Sequence, residues 1–126
     1  MEGSCKLVVL NFTIPHLRPL ILSGQKQHTI RRNSPYWNRV LKDGTILNLY
    51  FNQRTPRKEH LFDVPFLLKQ EMDLRDIAES VAIADGFKTL SHCQSWLVKT
   101  YPNEWRLGFL LISWDYETRV KKEEMR

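Results

Sequence analysis

The residues of this chain best suited to chemistry are Lys26, Thr29 and Arg31 in the stretch Gly24-Gln25-Lys26-Gln27-His28-Thr29-Ile30-Arg31, together with a later acid, Asp85. A threonine hydroxyl is a weak nucleophile until a base takes its proton. A lysine can be that base only when burial or a neighbouring cation lowers its pKa; Arg31 or Arg32 offers such a cation. A carboxylate can orient the lysine, shuttle a proton, or accept a hydrogen bond from an amino group on a substrate base. Each residue also has a plain structural reading. Thr29 is a β-former at a sheet edge, Lys26 a solvated cation, and Asp85 a turn residue beside Gly86.

The elements that must position these groups are a short helix and a polar strand. Pro15 to Leu22 reads as the helix, which Pro19 keeps short, and Gly24 suits the left-handed residue that ends it. Beyond Gly24 the pattern changes to period 2. Alternation puts Gln25, Gln27, Thr29 and Arg31 on one face and Lys26, His28, Ile30 and Arg32 on the other. Lys26 and Thr29 are therefore expected on opposite faces unless the backbone twists or bulges. Ile30 is the one clearly apolar member, so the segment reads as a site strand or as a solvated edge.

The run Leu22 to Arg31 resembles the opening motif of the ASCH domain family, G-x-K-x-x-T-x-R after a short amphipathic helix. The resemblance extends roughly from Leu7 to Trp114. It implies an α+β, PUA-like fold: a small, curved, mostly antiparallel β-barrel with flanking helices. It also implies RNA binding or hydrolysis of modified nucleosides. In the family's amidohydrolases a lysine, a threonine three residues on and a later acid act on N4-acylated cytidine, and the matching residues here are Lys26, Thr29 and Asp85. Two positions depart from the pattern: Asp85 stands where the enzymes carry the longer Glu, and the turn after the motif reads Asp43-Gly44 instead of Gly-Asp.

A chain of 126 residues with 42% hydrophobic residues fits one domain and one modest core, expected over residues 1–118, with a charged tail at 119–126 that frays. No apolar run approaches bilayer length, and the N-terminus lacks a cationic region followed by a long apolar one. A cytoplasmic location with no membrane partner is the expectation. Cys5 and Cys93 lack metal-ligand spacing and read as free thiols. His16, His28, His60 and His92 form no H-x-x-H or H-E-x-x-H arrangement. No cofactor and no metal are implied.

The formal net charge is +5, which suits an anionic partner. Arg31, Arg32, Arg39, Lys42, Arg54, Arg57 and Lys58 face only Asp43 over their span, whereas Glu71, Asp73, Asp76, Glu79 and Asp85 dominate the next. Arg31, Arg32, Arg54, Arg57 and Lys58 could contact phosphates, with Tyr36 and Trp37 stacking on unpaired bases. Trp37 reads equally well as core. RNA or a nucleoside is the expected partner, bound in a cationic cleft at the barrel mouth.

Along the chain, Leu7 to Phe12 reads as a buried strand and Thr45 to Phe51 as a strand with one buried face. Leu61 to Leu68, holding Pro65, reads as an edge or bulged strand. Asp73 to Ala84 is helix-like and stops at Asp85-Gly86. Thr89 caps a second helix whose Leu90, Cys93, Trp96, Leu97 and Tyr101 share one side. Leu107 to Tyr116 is the closing strand.

Overall fold

The computed structural model describes residues 7–120. Its apolar, β-branched runs become five strands: β1 (Leu7–Phe12), β2 (His28–Arg32), β3 (Ile46–Phe51), β4 (Glu59–Met72) and β5 (Phe109–Trp114). They lie in one mixed sheet in the order β1-β3-β4-β5-β2. The β1–β3 pairing is parallel and the other three are antiparallel, so the fold is α+β with a mostly antiparallel sheet.

β4 curves this sheet. Its first half pairs with β3 and its second half with β5. The register slips once in each half, opposite Leu49/Tyr50 and between Phe66 and Leu68. An extra residue at a bulge bends the strand and raises its twist. Pro65 lies beside the second bulge, within a central strand and not at an edge. The Phe66 N–H bonds Thr45 O, so Pro65 stands at a non-hydrogen-bonded position against β3 and just before the first β4–β5 pair, where its missing N–H costs no ladder bond. No strand ladder joins β1 to β2 among the described residues, so the sheet is open at those two edges.

The burial of β1 differs from the expected fully buried strand. Val8, Leu10 and Phe12 face the core, whereas Leu7 is 62% exposed and Val9 also looks outward. An edge strand with one covered face needs apolar residues only on that face, so the continuous run overstates its burial. In β3, Leu47 and Leu49 are fully buried, as the alternation predicts.

The helices are α1 (Leu17–Ser23), α2 (Pro35–Val40), α3 (Glu79–Ala84) and α4 (Leu90–Thr100). Pro19 sits in the first turn of α1, where backbone N–H groups have no helical partner to lose. Gly24 ends α1 at φ +84°, and a Cβ there would lie 2.5 Å from the Tyr116 ring. Both constraints demand glycine. In α2, where the sequence admits either a loop or a helical turn, Ser34 caps the helix with Pro35 at its first position. Asp73 leads only a short 3-10 turn, Leu74–Asp76, before α3. Thr89 accepts a hydrogen bond from the His92 N–H and caps α4 as expected.

Two apolar clusters result. One packs α1 against the inner faces of β1, β3, β4 and β5; the other joins α3 and α4 to Ile30, Met72, Phe109 and Leu111. At the C-terminal side, Arg119 lies over the Tyr116 ring and Val120 exchanges backbone hydrogen bonds with Asp63. Those two residues, assigned by sequence to the tail, are tied to the sheet. The rest of the tail, 121–126, lies outside the described residues, as does Cys5.

Candidate functional site

A cavity of about 260 Å³ opens where the two apolar clusters meet. Phe12 and Leu17 wall it on the α1 side, and Ile30, Phe87, Trp96 and Tyr101 on the α4 side. Its polar lining includes Lys26, Thr29, Arg31 and Asp85, the four groups that the sequence singles out for chemistry. The volume is just under the roughly 300–1,000 Å³ usual for ligand pockets, which suits a single flat ring better than a polymer.

Lys26 and Thr29 line the same cavity, contrary to the alternation expected from Gln25 onward. The reason is local: β2 starts only at His28, so Gln25 to Gln27 are not held to the strand's period. The Lys26 N–H instead bonds back to Leu20 O at 3.0 Å, which turns the segment under the end of α1. Within β2 the expected alternation holds only in part, because Ile30 lines the cavity as well. Thr29 and Arg31 share the cavity side, and Arg32 points away to pair with Glu104 at 3.2 Å.

Lys26 is only 1% exposed, and its Nζ donates to Asp85 Oδ1 at 2.6 Å and to Asp85 O at 2.9 Å. Two of its three ammonium hydrogens are thereby used. Burial lowers the Lys26 pKa, partly opposed by Asp85. Burial alone would raise the Asp85 carboxyl, but the Lys26 charge and the hydrogen bonds from His28 and Lys26 outweigh it and hold the group below its ordinary range. The carboxyl is thus the ionised partner, reached by a lysine that loses its proton more readily than a solvated one.

Arg31 donates to Asn11 O at 2.9 Å and lies 5.1 Å from the centroid of the Phe12 ring. Burial lowers its pKa, with Tyr101 and Asp85 opposing. No described carboxylate forms an ion pair with it, and most of its five donors stay available at the cavity. The formal charge of Lys26, Arg31 and Asp85 together is positive, which favours an electron-rich or anionic ligand group.

The remaining predicted contacts are distributed differently. Arg54, Arg57 and Lys58 are exposed on the β3–β4 loop and do not line the cavity. That loop is nevertheless anchored at the cavity rim, through Asn52 N–H to Phe12 O at 2.9 Å and Gln53 N–H to Asn11 Oδ1 at 2.8 Å. Tyr36 is exposed, stacked edge-on against Trp37 and capped by Arg39. Trp37 packs against the core, so the packing reading of that residue holds.

Sequence reasoning passed over His28, whose Nδ1 lies 3.1 Å from Asp85 Oδ1, and His16, which bonds to Gly86 O at 2.9 Å across the cavity mouth. Neither carries a spacing signal, since Asp85 and Gly86 are distant in sequence. Cys93 lies near the Lys26–Asp85 pair, but burial and Asp85 push its thiol up to about 11, so it is unreactive. Among the described residues no group of three or more His, Cys, Asp or Glu is placed to hold a metal ion, and no helix is long and apolar enough to cross a membrane. No family model, curated protein or solved structure matches the chain.

Proposed function

We propose that the cavity binds the base of a nucleoside and hydrolyses an amide on it, with N4-acylated cytidine as the substrate type. The observation that carries this reading is the burial of the Lys26–Asp85 pair at 2.6 Å in the wall of a cavity that Thr29 and Arg31 also line. A buried charged pair adds little net stability once its desolvation is counted, and such perturbed pairs at a cavity are candidate sites of chemistry. The resemblance to ASCH amidohydrolases points to the same three residues.

The chemistry runs in two steps. Thr29 Oγ1 attacks the amide carbonyl while neutral Lys26 takes its proton. Lys26 then gives that proton to the leaving amine as the C–N bond breaks. Water, with Lys26 again as base, attacks the acyl-threonine; as the Oγ1–C bond breaks, Lys26 returns the proton to Thr29 Oγ1 and the carboxylic acid is released. Arg31 donates to the developing oxyanion. Asp85 accepts from the substrate N–H, and once it does so its hold on the Lys26 ammonium weakens. Burial then favours the neutral amine that the first step needs. A barrel-like PUA curvature belongs to the same proposal: Arg31 on β2 reaches Asn11 O on β1, so a side chain links the two open sheet edges where no ladder forms. The test is hydrolysis of N4-acetylcytidine by the full chain, with Lys26→Ala and Thr29→Ala alongside. Turnover lost in both supports the reading; no turnover by the unaltered protein, or unchanged turnover in either variant, refutes it.

RNA binding is the second reading, favoured by the loop that anchors Arg54, Arg57 and Lys58 beside cavity residues Asn11 and Phe12. It predicts binding of short single-stranded RNA that weakens steeply with salt and is lost on Arg54→Ala. Binding that ignores salt or Arg54 rejects it.

A further inference from the structure

Asp85 Oδ1 receives two side-chain donors, Lys26 Nζ at 2.6 Å and His28 Nδ1 at 3.1 Å. The Lys26 ammonium also clamps the Asp85 main-chain oxygen at 2.9 Å. Both side-chain bonds fall on Oδ1, and no donor among the described residues reaches Oδ2. That oxygen is not among the atoms sealed from solvent without a partner, while Asp85 itself lines the cavity. Oδ2 is therefore the atom open to a ligand. His28 does not line the cavity, and its side chain is 17% exposed, so it supports the carboxylate from outside the binding space. An ionised carboxylate only accepts hydrogen bonds, so the His28 nitrogen facing it must carry the hydrogen.

We propose that His28 is a positioning residue: its Nδ1–H fixes the Asp85 carboxylate against rotation and keeps Oδ2 turned into the cavity. This rests on the amidohydrolase reading only for its consequence in turnover; the brace itself is independent of what the cavity binds. Lys26 alone cannot hold the carboxylate in this way through a reaction in which its own proton comes and goes. His28 supplies a donor that the chemistry does not consume.

Two measurements on the full chain test this. The first is the tautomer of His28, read from two-bond 1H–15N correlations of the imidazole in mildly alkaline buffer. The Nδ1–H form is expected, opposite to the Nε2–H form that free imidazole side chains favour; finding Nε2–H would overturn the proposal. The second is N4-acetylcytidine hydrolysis by His28→Phe, which keeps a ring but no donor, and by His28→Asn, whose amide places a donor near the Nδ1 position. Loss of one hydrogen bond to a charged group corresponds to about a tenfold fall in kcat/KM for His28→Phe, with His28→Asn recovering most of it. Equal activity of His28→Phe and the unaltered protein, or equal loss in both variants, would overturn the positioning role. If the unaltered protein does not turn over, the amidohydrolase reading fails, and the tautomer still decides whether His28 braces Asp85.

Discussion

Asp85 and Asp63 are both buried aspartates with a histidine nitrogen on Oδ1, His28 at 3.1 Å and His60 at 2.7 Å respectively. Their other partners differ. Asp85 takes a lysine ammonium and borders a cavity. Asp63 takes the neutral amide of Asn48, and its backbone is paired in both directions with Val120. It does not line the cavity that holds Lys26. Burial of a carboxylate is compensated in both places, since each has its hydrogen bonds. Among the described residues each carboxylate accepts its side-chain bonds on Oδ1 alone, but only Asp85 pairs with a lysine and lines the cavity. The same pair of residue types is thus tied into the sheet at one site and left at the wall of a cavity, between the two apolar clusters, at the other.

The sharpest way to break this comparison is Lys26→Ala. It leaves a buried charge unpaired at Asp85 and is expected to abolish turnover and to destabilise the fold by about 3–5 kcal/mol, read from denaturant unfolding. Replacing both partners, Lys26→Met with Asp85→Leu, should restore most of that stability while turnover stays absent. Restored turnover would remove the Lys26–Asp85 pair from the chemistry.

At the other site, Asp63→Ala orphans His60 and Asn48 and is expected to cost about 1–3 kcal/mol. Turnover per folded molecule should not change, because no atom of Asp63 borders the cavity. A large fall in kcat at full folding would contradict the contrast.

The pH dependence of stability probes Asp85 directly. The folded pKa of Asp85 lies below its ordinary 3.8. Its stabilising contribution is therefore complete above that value and is lost as pH falls through the folded pKa. Acid unfolding of Asp85→Asn should lack this component, so the stability gap between it and the unaltered protein narrows as the solution is acidified. The smallest expected effect belongs to the exposed pair Arg18–Glu59, 2.6 Å apart but each about two-fifths exposed. Solvent screens it, and Arg18→Ala should cost below about 1 kcal/mol, measured by the same unfolding curves. A cost as large as that of Lys26→Ala would mean that burial is not what distinguishes the two ion pairs.

Local chemistry wrote much of the architecture into the sequence. Gly24 ends α1, Thr89 caps α4, Gly86 ends the α3 turn, and Leu47 and Leu49 alternate inward, because capping, positive φ and strand period depend on neighbouring residues. The residue types of the candidate site were legible too: Lys26, Thr29, Arg31 and Asp85 all reach one cavity. What the sequence could not determine is whether Lys26 is solvated or sealed, that β2 begins two residues after it, or that His28 stands behind Asp85. The contacts of Lys26 and His28 with Asp85 join residues 59 and 57 positions apart. Only the packing of α3 and α4 against β2 sets them, since burial and its effect on charge are properties of the assembled interior and not of the chain.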